Sequence, residues 1–437
     1  MKQYIKKILP IYIVYILKLF KQKVLVENQK KLFAFKMQKK HQVLVKQKKD
    51  KKKIKVIFLA LVESVWKVDS IFKKMLDDPY FEPIILVCPY IVYGKSRMKI
   101  EIESTCQFFQ NKGYPTINAY NKTTNKWINL DQLEPDILFF TIPHKSTISK
   151  YYEDAYSKYL SCYVPYFYLL TFHGKEQSLY NNMFHNAMWK IFLPHEFSLQ
   201  RTKEIASNRG INAIVTGYPS CENLFDKVIE NKDTWKIQDK DKKKVIWAPH
   251  HSIDGLDEFN LSTFLIYADY FKEISIRNKN EIQWAFKPHP SLKSKLYRNI
   301  KWGKDKTDKF YNYWKNAPYS QLEEGKYDDL FLQSDAMIHD SGSFLVEYLY
   351  TKKPVMYLMN TKTKNNLNEF GLNALDFCQQ GHTKKEIDVF IAQLVNSKLN
   401  NKKALNTNKL FYEKNIASFF NDTYPSDRIL DLIKMNL

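Results

Sequence analysis

The sequence contains no C-x-x-C pair; its five cysteines, Cys88, Cys106, Cys162, Cys221 and Cys378, are scattered and odd in number. That excludes a disulfide framework and a zinc-ribbon arrangement, and it fits a reduced, cytosolic chain. A long hydrophobic run is also missing. The apolar stretch from Ile8 to Leu17 covers ten residues, half of the roughly 20 that a membrane-spanning helix needs. No small-residue cleavage site follows it and Lys18, Lys21 and Lys23 come next, so it does not read as a signal peptide. Arginine is absent from the first 55 residues, which hold 18 lysines against only Glu27 and Asp50. Of the chain's +22, +16 therefore sits in this leader, and the other 382 residues carry only +6. A nucleic-acid binder would spread its cations over the folded surface, so no nucleic-acid partner is expected. No Asp-x-Asp pair stands at a predicted strand end, and no metal is expected to be obligatory.

What is present is enough for two α/β domains with full cores: 437 residues, 44% hydrophobic and 15% aromatic. In the leader, Tyr4, Ile5, Ile8, Tyr12, Tyr15, Ile16, Leu19 and Phe20 recur at near-helical spacing among lysines. That pattern suits a helix lying on an anionic membrane surface, and it predicts peripheral attachment through residues 1–50 at the inner face of the cell membrane. Residues 38–55, mostly Lys and Gln, read as a linker, and deleting residues 1–50 is expected to spare the enzyme.

Beyond Lys55, apolar runs alternate with helical periods. Lys55–Leu61, Pro83–Val87, Asp136–Phe140, Phe167–Phe172, Lys190–Leu193 and Ala213–Thr216 read as strands; Val65–Leu76, Met98–Asn111 and Leu199–Asn208 read as helices. After a polar stretch the rhythm restarts, with strands Lys244–Ala248, Ile282–Phe286, Ala336–His339 and Val355–Leu358 and helices Leu261–Ile276, Tyr327–Gln333 and Gly342–Tyr350. Uniformly apolar strands belong in sheets covered on both faces. The expected architecture is two doubly wound, Rossmann-like parallel-sheet domains facing a cleft. The boundaries expected are a basic extension and linker over 1–53, an N-terminal acceptor domain over 54–225, and a nucleotide-donor domain over 226–400. Helices over 401–437 are expected to pack back on the first domain.

Ligands of such sheets sit beyond the carboxyl ends of the strands. There the sequence places His173-Gly174, Pro249-His250-His251-Ser252, Lys287-Pro288-His289-Pro290 and Asp340-Ser341-Gly342-Ser343. Histidine at several strand ends points to acid–base or phosphate chemistry. Asp340–Ser343, ahead of an apolar helix, has the makings of a diphosphate cradle: free N–H groups, hydroxyl donors and a glycine that lets phosphate approach. The same residues also suit plain helix capping. Glu347, further along that helix, is placed to accept from a ribose diol.

These stretches carry a resemblance. Thr171-Phe172-His173-Gly174, Thr216-Gly217-Tyr218-Pro219 with Glu222-Asn223-Leu224, Val245–Pro249, Lys287–Pro290 and Tyr327-Asp328-Asp329-Leu330 through Glu347 together resemble, in order, the CDP-glycerol:poly(glycerophosphate) glycerophosphotransferase family. The resemblance implies a GT-B-type transferase. It would move a glycerol-phosphate or related polyol-phosphate from a CDP-linked donor to a hydroxyl of a lipid-linked, teichoic-acid-like or capsular polymer. It implies His173 as the base. His289, with Lys287, Gly174, Gly217, His250, Asp340, Ser341, Gly342, Ser343 and Glu347, would hold the donor, with no cofactor beyond it. The chain departs from the family at Ser341-Gly342, His250-His251, Lys175, Ser220 and Glu347. Asp340-Ser341-Gly342 is equally similar to a loop of UDP-N-acetylglucosamine 2-epimerases. A UDP-sugar enzyme therefore stands as a second reading, and a non-catalytic membrane or nucleic-acid binding protein as a third.

Overall fold

The structure is a computed structural model; it describes residues 2–92, 94–172, 176–238, 240–253, 260–397 and 409–437, with side chains from residue 21 onward. Two compact units emerge: Met1–Tyr166, Glu176–Val215 and Ile429–Leu437 form the first, and Phe167–Lys175 with Thr216–Arg428 form the second.

The first unit is built on a parallel sheet. Its strands are β1 (Ile54–Ala60), β2 (Phe81–Val87), β3 (Thr116–Asn118), β6 (Ile137–Phe140), β7 (Leu160–Tyr163), β8 (Lys190–Leu193) and β9 (Ala213–Val215). They lie in the order β3-β2-β1-β6-β7-β8-β9, and a small antiparallel hairpin of β4 (Tyr120–Asn121) and β5 (Lys126–Trp127) stands apart. The central strands have no polar alternation because both faces are covered; Phe58 of β1 stacks on Phe139 of β6 at 4.7 Å and meets Phe72 edge-on at 5.1 Å.

Two readings of the sequence are corrected here. Phe167–Phe172 is not a strand. The sheet position is taken by β7, and Pro165, lacking an N–H, cannot extend a ladder. Leu169 then turns to φ 53, and only Thr171 forms a bridge, to Leu367. Nor are residues 38–46 a linker, because one helix runs from Lys2 to Lys46. Ala34, Met37 and His41 fall on one helical stripe and are buried, and the helix packs against Met183–Ala187. This stripe overrides the Lys/Gln-rich composition. Just beyond, Lys48 and Lys51 each lie 2.7 Å from Asp136 Oδ1, and Lys55 N–H donates to Oδ2 at 3.0 Å. Burial works against ionisation of Asp136, but these donors outweigh it and hold its carboxyl below the usual range. Cutting at residue 50 would thus remove part of the folded unit.

The second unit repeats the plan with β10 (Lys243–Ala248), β11 (Ile282–Phe286), β12 (Ser320–Leu322), β13 (Ala336–His339), β14 (Val355–Leu358) and β15 (Gln379–Gly381), all parallel, in the order β12-β11-β10-β13-β14-β15. Its core centres on Trp247, stacked on Phe271 at 4.3 Å and on Phe286 at 4.9 Å, with Trp284 and Trp314 fully buried nearby. The expected helix Gly342–Tyr350 is shorter. Leu345 N–H bonds Gly342 O and Val346 N–H bonds Ser343 O, which tightens the first turn. The α-helix proper is Phe344–Glu347, followed by a 3-10 turn over Tyr348–Thr351.

Candidate functional site

In the second sheet the chain runs outward from β10 to β12, then returns to the other side of β10 with β13. The point of reversal therefore lies between β10 and β13, where open α/β sheets bind ligands beyond the strand ends. Three histidines meet on this side of the sheet. His250 and His251 follow β10 and His289 follows β11; their ring centroids are 4.2 Å (His250–His251), 4.2 Å (His251–His289) and 5.2 Å (His250–His289) apart.

Their protonation follows from their neighbours. Ser291 N–H donates to His289 Nδ1 at 3.1 Å. His250 Nδ1 faces Ser252 Oγ at 2.9 Å and Ser252 N–H at 3.3 Å. That hydroxyl oxygen already accepts from Leu261 N–H at 2.9 Å and Ser262 N–H at 3.2 Å, so its own hydrogen points to the imidazole. Both Nδ1 atoms are thus acceptors, and both neutral rings carry their proton on Nε2. Burial first, then positive neighbours at His251 and Lys287, holds His289 well below 6.5, so it is neutral at pH 7. The possible ligand nitrogens of the three rings lie within 4.8 Å of one another, close enough to consider a metal ion. A metal held through the Nε2 atoms of His250 and His289 would need their protons on Nδ1, which would break the bonds from Ser252 and Ser291. The donor set suits an oxyanion better.

Asp340 builds this corner rather than facing a ligand. Its Oδ1 accepts from His250 N–H at 2.5 Å and its Oδ2 from Thr263 Oγ1–H at 2.7 Å and Thr263 N–H. Burial pushes its carboxyl up to about 6 against these donors. The hydroxyls of Ser341 and Ser343 have no hydrogen-bond partner among the described residues. A Cβ on Gly342 would sit 3.5 Å from Thr171 Cγ2, in ordinary contact. Lys287, expected to face phosphate, is buried and donates to Gly325 O at 2.8 Å and Glu323 O at 3.3 Å. Glu347, expected at a ribose, accepts from the hydroxyl of the half-buried Tyr327. Gly217 has φ 86, and the space a side chain would need is filled by Phe419 and Pro425 within 3.0 Å, which gives it a turn and packing role. His173 and Gly174 lie outside the described residues. The segment before them is clamped: Asn368 Nδ2–H donates to Leu169 O at 2.8 Å, Asn368 N–H to Leu170 O at 3.0 Å, and Phe172 N–H to Asn366 O at 3.0 Å.

Thr263 and Ser291 were missed from sequence, and Ser252 was placed at a strand end without a role, although a signal was there. His250-x-Ser252, His289-x-Ser291 and His339-x-Ser341 repeat one spacing at three adjacent strand ends, and in each the serine N–H donates to the histidine Nδ1.

Residues 193–435 match the family described as CDP-Glycerol:Poly(glycerophosphate) glycerophosphotransferase. Among characterised relatives, the teichoic acid ribitol-phosphate polymerase TarL of Staphylococcus aureus is 26% identical over 178 residues, 40% of this chain and 29% of TarL. The minor teichoic acid biosynthesis protein GgaB of Bacillus subtilis is 24% identical over 231 residues, 50% of this chain and 23% of GgaB. The matches thus span less than a third of these relatives. Solved structures similar in fold include S. aureus MnaA with UDP (TM-score 0.53, 14% identity, 87% of this chain and 96% of that one). Another is the UDP-GlcNAc 2-epimerase of Methanocaldococcus jannaschii with UDP-GlcNAc and UDP (0.52, 14%, 87% and 99%). At this identity they establish the fold class, GT-B, and nothing of the substrate.

Proposed function

Since the chain belongs to the CDP-glycerol:poly(glycerophosphate) glycerophosphotransferase family, we propose that it transfers a glycerol-phosphate or related polyol-phosphate from a CDP-linked donor to a hydroxyl of a cell-surface polymer. The observation that carries this reading is the pair of tautomer-fixed imidazoles, His250 and His289, with Nε2–H groups beside the strand reversal. Neutral N–H donors already in place can offset charge growing on a phosphate without reorganising during reaction. In the proposed step the acceptor oxygen bonds to the distal phosphorus of the donor. The bond from that phosphorus to the bridging oxygen breaks, CMP leaves, and the acceptor proton passes to His173. Ser341 and Ser343 add donors, Gly174 and Gly342 leave room for phosphate, and Lys287 supplies positive potential from behind its carbonyl partners. Asp340 acts as a positioning residue by fixing His250.

The leader completes the proposal. Opposite the buried stripe of Ala34, Met37 and His41, the same helix exposes Leu25, Leu32, Phe35 and Val43 among lysines, a second apolar face suited to an anionic membrane surface. Among the described residues no helix is long and apolar enough to cross a membrane, so attachment would be peripheral, at the inner face where the nucleotide donor is available.

The test is nucleotide release with a polyol-phosphate polymer as acceptor and CDP-glycerol, CDP-ribitol or UDP-N-acetylglucosamine as donor. CMP release from a CDP-polyol is expected, and His173→Ala should lower turnover roughly 10²–10⁴-fold with donor affinity kept. Release from the UDP-sugar alone would overturn the donor assignment; unchanged turnover in His173→Ala would overturn the base.

A further inference from the structure

Lys190, the first residue of β8, lines a cavity of about 390 Å³ within the first unit, between the leader helix and the body. The volume is in the usual range of small-molecule sites. The lysine ammonium donates to Asn436 Oδ1 at 2.8 Å, and its Nζ lies 5.6 Å from the centre of the Trp189 ring. No carboxylate lines the cavity, and no carboxylate among the described residues pairs with Lys190. The side chain is half-buried, and burial holds its pKa below the ordinary lysine value. A cation drawn partly out of water without a counter-charge is costly. An anion in the cavity would offset that cost.

The other polar groups of the body are already engaged. Asn212 donates to the His185 and Met188 carbonyls, Asn208 to Asn212 Oδ1, and Asn436 to the Leu432 carbonyl. Across the cavity, the leader presents Gln38 and Gln42, one turn apart and exposed, whose side-chain amides have no partner among the described residues. The mouth is bordered by apolar surface. Gln42 lies seven residues beyond Phe35, close to two helical turns, so the two share a face of the helix. Phe35 is 53% exposed, and Ile211 on the body's side of the cavity is 62% exposed.

We infer that this cavity takes the phosphate headgroup of an anionic phospholipid, held by Lys190 Nζ with Gln38 and Gln42 while Phe35 and Ile211 enter the apolar layer beside it. A compact ammonium with N–H donors to spare suits a phosphate oxygen. The phosphodiester of a polyol-phosphate polymer offers the same chemistry, but exposed apolar side chains at the mouth favour the lipid. The inference rests on the proposal that the leader lies on an anionic membrane, and it adds a residue of the body to that contact. It is separate from the histidine cluster, whose residues all belong to the second unit.

The test is flotation of the full chain with vesicles of phosphatidylglycerol in phosphatidylcholine, at low and at high salt. Lys190→Gln, Gln42→Glu and Lys36→Gln each lower the net charge equally. The first keeps a donor for Asn436, the second sets a carboxylate at the cavity opposite Lys190, and the third removes an exposed leader lysine as control. An exposed lysine acts through a screened field, whereas an enclosed contact is screened much less. Lys190→Gln and Gln42→Glu should therefore weaken binding about fivefold at both salts, the worth of one lysine at an anionic surface. Lys36→Gln should weaken it at low salt only. Should Lys190→Gln lower the melting temperature, Gln42→Glu at its exposed position decides the matter. Equal high-salt binding of the wild type and all three variants would overturn this inference and leave the leader's role standing, whereas a wild type that never floats would overturn both. If Lys190→Gln loses binding to soluble poly(glycerol phosphate) yet floats as the wild type does, the lipid is the wrong source of the phosphate.

Discussion

Gly371 is the third residue of the helix Glu369–Leu375, a position where alanine ordinarily stabilises by about 0.5–1 kcal/mol relative to glycine. Here the sign should reverse. A Cβ at 371 would lie 2.5 Å from the backbone oxygen of Leu170 and 3.2 Å from Leu367 Cβ. Backbone cannot rotate away as a flexible side chain can, so Leu170 or the helix must shift. That shift strains the bonds from Asn368 to Leu169 O and Leu170 O, and the one from Gly371 N–H to Asn368 Oδ1 at 3.0 Å. Overpacking of this kind costs about 1–3 kcal/mol; set against the middle of the helix gain, a central cost of about 2 leaves a net of about 1 kcal/mol, and at most about 2.5 kcal/mol. For a unit of this size the central value corresponds to a fall in Tm of roughly 2–4 °C. Gly342→Ala is the control, since its Cβ would meet nothing closer than 3.5 Å, and its Tm should match or exceed the wild type's. Differential scanning calorimetry of the two variants side by side reads the difference. If Gly371→Ala melts with the wild type, or both variants fall equally, the argument that the segment leading to His173 is clamped by close approach is wrong.

Acid should weaken the second unit through its buried histidines. His289, held well below 6.5, and His339, lowered to about 3 by burial, are neutral when folded and must gain protons on unfolding. Stability is thus lost as pH falls below about 6.5, by up to about 1.4 kcal/mol per pH unit for each ring. Asp340, raised to about 6, acts in the opposite sense between pH 6 and about 4, so two histidines against one aspartate leave a net loss; denaturant titrations at pH 7 and 5 showing equal stability would refute this. Nucleotide affinity should change less than about twofold between pH 7 and 8.5, because the imidazoles bind as neutral donors. A tenfold rise per unit toward acid in calorimetric titrations would mean that an imidazolium does the binding. Removing residues 1–20 should reduce flotation with anionic liposomes, most strongly at low salt, without lowering Tm, whereas removal of residues 1–50 should lower Tm because Ala34, Met37, His41 and the Lys48–Asp136 pair go with it.

The strand pattern was legible because fully covered parallel strands write themselves as unbroken apolar runs, and Ile54–Ala60 and Ile282–Phe286 stand where the sequence puts them. Phe167–Phe172 has the same signature for another reason. Tyr168 and Leu170 are buried against the second unit's own residues, Tyr168 through its hydroxyl to Tyr350 at 2.7 Å, and burial alone does not say whether a ladder forms. The histidines at strand ends were visible, but their tautomers were not. Those depend on serine N–H and hydroxyl groups whose direction only the folded turns define. Likewise the roles of Lys287 and Glu347 follow from which way a long side chain turns, and composition does not record that.

The division of the chain also bears on the order in which the protein can be made. Ile429 and Ile433 are wholly buried, Lys434 pairs with Asp78, and Lys190 Nζ–H donates to Asn436 at 2.8 Å, all within the first unit. On a ribosome, the first unit's sheet can be laid down early, but its last helical turns arrive only after every residue of the second unit has been synthesised. Until then the surface that receives Ile429 and Ile433 stays uncovered. Nascent chains stalled before residue 429 should bind chaperones through that surface, and release should follow completion of the nine residues that close it.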